Sequence, residues 1–145
     1  MGRFPAFGAY CTGMNFPVPQ INLAAAWCGI LLGIISGMAL GLGFLREDFL
    51  GGYDSARRRL YRLAHISFFG LAFINFAFWL TVRLESLPVA GVAAASVAMI
   101  VGAVTMPATC LLTAHWRAGR HFFAVPVLSL FYGAAVTLFQ LINMP

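Results

Sequence analysis

The chain has 145 residues, 61% of them hydrophobic and 9% charged, with 9 basic residues against 4 acidic ones and a formal net charge of +5. A soluble domain carries about 25% charged residues, so a water-soluble globular fold is excluded. The segments outside the apolar runs are too short to form a separate soluble domain, and with no lysine present every formal cation is an arginine.

Residues 1–20, MGRFPAFGAYCTGMNFPVPQ, hold Pro5, Pro17, Pro19 and several aromatics. They contain no apolar stretch of the kind a signal peptide needs. This segment is expected to be an extramembrane N-terminal arm, lying irregularly on the outer surface or on a neighbouring protein. Residues 21–145 read as a single domain with four apolar spans, about 21–45, 61–83, 88–115 and 121–143. Each is long enough for a hydrocarbon core of about 30 Å, which takes roughly 20 helical residues.

Span one carries Gly29, Gly33, Gly37 and Gly41 at an unbroken four-residue period, with Ser36 beside them. Such glycines form one ridge along a helix, where a partner backbone can approach closely. Span three, rich in Ala, Gly and Val, is its expected internal partner. After Arg46, Glu47 and Asp48, the pair Gly51 and Gly52 breaks the chain, and Asp54 or Ser55 is expected to cap a new helix. That helix begins with arginines and continues into span two, where His65, Phe69, Ala72, Phe76 and Trp79 share one face. The face suits a flat cofactor.

Span two ends at Arg83, and Ser86 with Pro88 reads as the N-cap and first-turn proline of span three. Pro107 predicts a kink in span three, and Gly119 is expected to break the chain before span four. Asn75 and Tyr132 both fall near mid-membrane. Lipid offers no hydrogen-bond partner at that depth, so the two are expected to bond to each other. Short connections make neighbouring helices antiparallel. The predicted fold is therefore an all-α integral membrane protein, an up-down bundle of four transmembrane helices.

Arg46, Arg57, Arg58, Arg59 and Arg62 lie in the first connection, and Arg117 and Arg120 in the third. The positive-inside rule assigns both connections to the cytoplasm and both termini to the outside, most simply in a bacterial inner membrane. Trp27 and Trp79 then fall near the outer boundary, and Tyr53, Tyr61 and Trp116 near the inner one, where rings with polar tips are favoured. Arg57, Arg58, Arg59, Arg62, Arg117 and Arg120 are expected to meet anionic lipid head groups or a partner protein. Nucleic acid is not an expected partner.

Cys11, Cys28 and Cys110 have no CxxC or CxxCH spacing, which leaves a disulfide framework, a zinc site and covalent haem without support. No acid lies within a span, so a carboxylate proton relay of the pump type is disfavoured. His65, His115 and His121 gather on the arginine-rich side, and neutral imidazole is the usual axial ligand of haem b. At about 1.5 Å per residue, His65, His121 and His115 lie roughly 12, 16 and 21 Å from mid-membrane. His65 thus levels better with His121 than with His115. The expected function is a small non-catalytic membrane subunit of a larger energy-transducing or electron-transfer complex, partnered by other membrane subunits. Two alternatives stand beside it. One is a haem b- or quinone-binding electron carrier using His65 with His121 or His115, and the other is a small oligomeric transporter or channel.

Overall fold

The computed structural model describes residues 18–85, 87 and 89–143; the expectations for Cys11, for most of the N-terminal arm and for the Ser86 and Pro88 cap lie outside the described residues. Four helices follow one another: α1 (Val18–Gly43), α2 (Ala56–Leu84), α3 (Val89–His115) and α4 (Ala124–Ile142). Stretches long and apolar enough to cross a membrane run over Gln20–Gly43, Ala56–Leu84, Gly91–His115 and Arg117–Ile142. The last includes a 3-10 turn over Arg117–Phe123 that leads into α4.

The turn between α1 and α2 runs through three residues with positive φ, two of them glycines. Leu50, Gly51 and Gly52 have φ of 58°, 88° and 88°. For Leu50, which carries a Cβ, that conformation costs on the order of 1–2 kcal/mol. Ser55 offsets it. Its hydroxyl donates to the Leu50 carbonyl at 2.6 Å and accepts from the Arg58 N–H at 3.1 Å. One side chain thus pins the turn and caps α2, which settles the choice between Asp54 and Ser55.

The glycine ridge of α1 meets α2, not α3. A Cβ placed on Gly29 would lie 3.0 Å from the Ala72 Cβ and 3.1 Å from the Phe68 carbonyl. On Gly33 it would lie 2.7 Å from the Phe69 ring, and on Gly37 2.7 Å from the His65 ring. As numbers rise along α1 they fall along α2, so the two helices are antiparallel. The ridge and the aromatic face expected to line a cofactor are therefore two halves of one helix contact. Gly41 has nothing within 4 Å of such a Cβ and takes no part.

α3 packs antiparallel on α2 through Phe78, Val92, Ala95 and Met99, with Val82, Leu87 and Val136 around them. α4 returns along α3. Gly102 lies under Leu130, and Gly133 sits against Met99 and the Ala95 carbonyl. The four helices form a row in which each contacts the next, and α1 also reaches α3 over a shorter stretch. Only 11% of the fourth span is buried inside the chain, against 33% of the second; α4 is peripheral.

Pro107 stands inside α3, which stays helical on both sides of it. One local expectation changes. The break before span four comes at Trp116, whose backbone is extended (φ −135°, ψ 109°). Gly119 is instead buried, with the Thr113 hydroxyl 3.0 Å from where a Cβ would stand.

The ridge makes a graded test. Gly29→Leu meets a neighbouring backbone that cannot swing aside, and should lower stability by about 1–3 kcal/mol, as overpacking does. Gly41→Leu should be neutral or stabilising, since it relieves a helical glycine worth about 1 kcal/mol. Thermal unfolding of both variants in mild detergent checks the contrast.

Candidate functional site

At the end of the bundle opposite Arg57, Arg58, Arg59 and Arg62, three polar side chains from three helices meet in the interior. The Asn22 Nδ2 group of α1 donates to Asn75 Oδ1 of α2 at 2.8 Å. The Ser96 hydroxyl of α3 donates to Asn22 Oδ1 at 2.5 Å. The Asn75 amide also donates to the Leu71 carbonyl at 2.9 Å. Asn22 and Asn75 are 0% exposed and Ser96 2%. The network has no opening to solvent or ligand, and its task is to join helices. The expected Asn75–Tyr132 bond does not form: the Asn75 amide is taken up by Asn22 of α1 and by the Leu71 carbonyl, while Tyr132 on α4 is 51% exposed.

Past this network an apolar groove opens between α1 and α3, floored by α2. Its larger part, about 350 Å³, runs past Gly29 and Leu32 on one side and Ile100 and Val104 on the other. A second part, about 230 Å³, lies toward the arginine-rich end and is bordered by Ser36, Phe49, Tyr61 and His65. Phe68 and Leu111 line both parts, so the two join.

The polar groups at the groove's end have defined roles. The Ser36 hydroxyl lies 3.0 Å from the Gly33 carbonyl and 3.0 Å from His65 Nδ1. A hydroxyl has one proton. If Ser36 donates to Gly33 and Nδ1–H donates to Ser36, both contacts are hydrogen bonds; the other tautomer makes only one. The network therefore assigns the His65 proton to Nδ1 and leaves Nε2 an acceptor. The ring is held edge-on by Phe69 at 5.4 Å between centroids.

Tyr61, which also borders the groove, bonds through its hydroxyl to His115 Nε2 at 2.8 Å, while Arg57 Nε donates to the Ala114 carbonyl at 3.2 Å. These two contacts fasten the start of α2 to the end of α3. A cation on the last carbonyls of a helix also complements its dipole.

Of the three histidines singled out from sequence, His65 borders the groove, His115 is bonded to Tyr61, and His121 is exposed on the 3-10 turn. Among the described residues, no hydrogen bond or ring contact joins His65 to either of the others. Nor does any group of three or more His, Cys, Asp or Glu suited to a metal occur among them. Arg117 and Arg120 are exposed on the same turn as His121. Arg58 and Arg62 instead turn inward over the Phe44 and Tyr53 rings. Arg59 donates to the Asp54 carbonyl at 2.8 Å.

An apolar groove ending in an imidazole acceptor and a phenol has the make-up of a binding site for an elongated apolar molecule with a hydrogen-bonding head. Asn22, Ser96 and the Ser36–His65 contact were not foreseen. The available signal was the register: with Gly29 on Ala72 and Gly37 on His65, Asn22 falls about one turn from Asn75. No protein-family model, curated protein or solved structure matches this chain.

Removing one member of the buried network strands the others. Asn75→Leu and Asn22→Leu should each destabilise, and a double-mutant cycle should give a coupling of about 0.6–1.7 kcal/mol, the range of interhelical hydrogen bonds in membrane proteins. Unfolding titrations of the four proteins in detergent measure it.

Proposed function

We propose that the chain is a small non-catalytic integral membrane subunit of a larger complex, of the energy-transducing or electron-transfer kind. It resides in a bacterial inner membrane with its arginine-rich connections in the cytoplasm. Tyr132 carries the reading. It lies near the middle of α4, 51% exposed, and its hydroxyl makes no hydrogen bond among the described residues. Hydrocarbon cannot satisfy a hydroxyl at that depth, whereas a polar group on a neighbouring transmembrane helix can. The position of α4 at the edge of the row agrees with this, since a helix with only 11% of its span buried has a face open to an added protein neighbour.

A photo-crosslinking residue at position 132, activated in intact membranes, is expected to capture another membrane protein in a discrete adduct. The same protein should be retained on purification in mild detergent. Adducts to lipid only, together with a stable lone chain, would overturn the reading.

The groove supports a second reading, the quinone-binding electron carrier. An isoprenoid-like tail matches the apolar walls, and a quinol hydroxyl finds an acceptor in His65 Nε2. This reading needs no second histidine, whereas haem b needs one or another axial ligand. Quinone retained by the purified protein should fall about fivefold in His65→Ala, the worth of roughly 1 kcal/mol of hydrogen bond. Retention unchanged by the substitution would sink it.

A further inference from the structure

Four arginines stand at the start of α2, and all of their described contacts are with neutral groups. Arg57 and Arg59 reach the Ala114 and Asp54 carbonyls. The Arg58 guanidinium lies 4.2 Å from the Phe44 ring centroid and 5.4 Å from that of Tyr53. The Arg62 guanidinium lies 4.8 Å from Tyr53 and 5.5 Å from Phe44. Two cations thus share one pair of rings. Arg58 is only 6% exposed, and the Nε groups of both arginines are buried without a hydrogen-bond partner. Among the described residues no carboxylate pairs with either; Glu47, Asp48 and Asp54 face outward.

This arrangement is electrostatically incomplete. A buried charge is costly unless it is paired. Arg58, in the first turn of α2, also adds to the positive end of the helix dipole, which favours an anion there. Aromatic faces attract each guanidinium but do not cancel the repulsion between two of them. The missing component is a negative group with several acceptor oxygens, and the planar guanidinium fork matches phosphate.

We propose that Arg58 and Arg62 form a binding site for the phosphate of an anionic phospholipid. The setting selects a lipid over a soluble phosphate. The site sits where α1 leaves its apolar span, beside Leu45, which is 83% exposed, and Tyr53, which is 69% exposed. A ligand with an anionic head and an apolar body satisfies both the arginines and these neighbours. The lipid's chains lie outside the bundle along α1, so the site is separate from the groove at His65.

The test uses the full chain in mild detergent. Binding of phosphatidylglycerol, phosphatidylcholine and inorganic phosphate is followed separately by native mass spectrometry and by thermal shift. Phosphatidylglycerol should bind and stabilise, phosphatidylcholine should do so far more weakly, and inorganic phosphate alone should not stabilise. Arg58→Gln with Arg62→Gln should weaken phosphatidylglycerol binding about thirtyfold, at roughly fivefold per arginine. Arg62→Lys, which keeps the charge and loses the fork, should fall between. Arg117→Gln with Arg120→Gln should bind like the parent chain. Equal binding of the two lipids by the parent chain would overturn the proposal even if the Arg58 variant does not fold. So would stabilisation by inorganic phosphate alone, or undiminished binding in the folded double variant.

Discussion

Helices in hydrocarbon gain nothing by burying apolar surface from one another, because lipid is as apolar as leucine. For four helices long and apolar enough to span a membrane, that setting leaves close packing, and polar groups that have nowhere else to go, to hold α1, α2 and α3 in place. The Asn22, Asn75 and Ser96 network supplies the second kind. It ties three helices at one level, with each amide and hydroxyl engaged inside the protein. Because it lies at the end opposite the arginine cluster that starts α2, it fixes where α1 and α3 touch and where they part. The groove follows from that placement.

Close packing supplies the rest of the α1–α2 contact. Gly29, Gly33 and Gly37 leave room that Ala72, Phe69 and His65 fill in turn. The fit explains how an imidazole can sit well inside an apolar span. Its Nδ1 is held by Ser36, on the same helix as the glycine beneath its ring. The packing that buries the ring also sets its tautomer, and so determines which nitrogen is left to meet a ligand. At the other end of α2, Ser55 fixes the turn and Arg57 and Tyr61 fasten the helix to α3, which leaves Arg58 and Arg62 facing each other over Phe44 and Tyr53.

The sequence made the helices legible because hydropathy and length speak directly to a membrane span. The arginine clusters marked its ends, and Ser55 announced a cap. Partner choice was less legible. A glycine ridge states that something approaches closely and does not say what; here it was α2 and not the Ala-rich α3. Tyr132 and Asn75 share a depth, and depth alone suggested a bond, but the angular positions of α2 and α4 place them on different faces. Asn22 escaped notice because it stands in the first turns of α1, where an amide at a membrane boundary needs no partner. Its burial arises only when α2 and α3 close over it. The groove was hidden for a similar reason, being a space between helices that no single helix encodes.

The central claim is that α1 is seated on α2 and stands apart from α3 along the groove. Cysteine pairs in a background lacking the native cysteines test it most directly, since a disulfide needs Cβ atoms about 3.5–4.5 Å apart. Gly29→Cys with Ala72→Cys, whose Cβ atoms would stand 3.0 Å apart and need to ease outward by only about half an ångström to reach that range, should crosslink under mild oxidation in membranes. Leu32→Cys with Val104→Cys, on opposite walls of the groove, should not. Efficient crosslinking across the groove with none at the ridge would contradict the account.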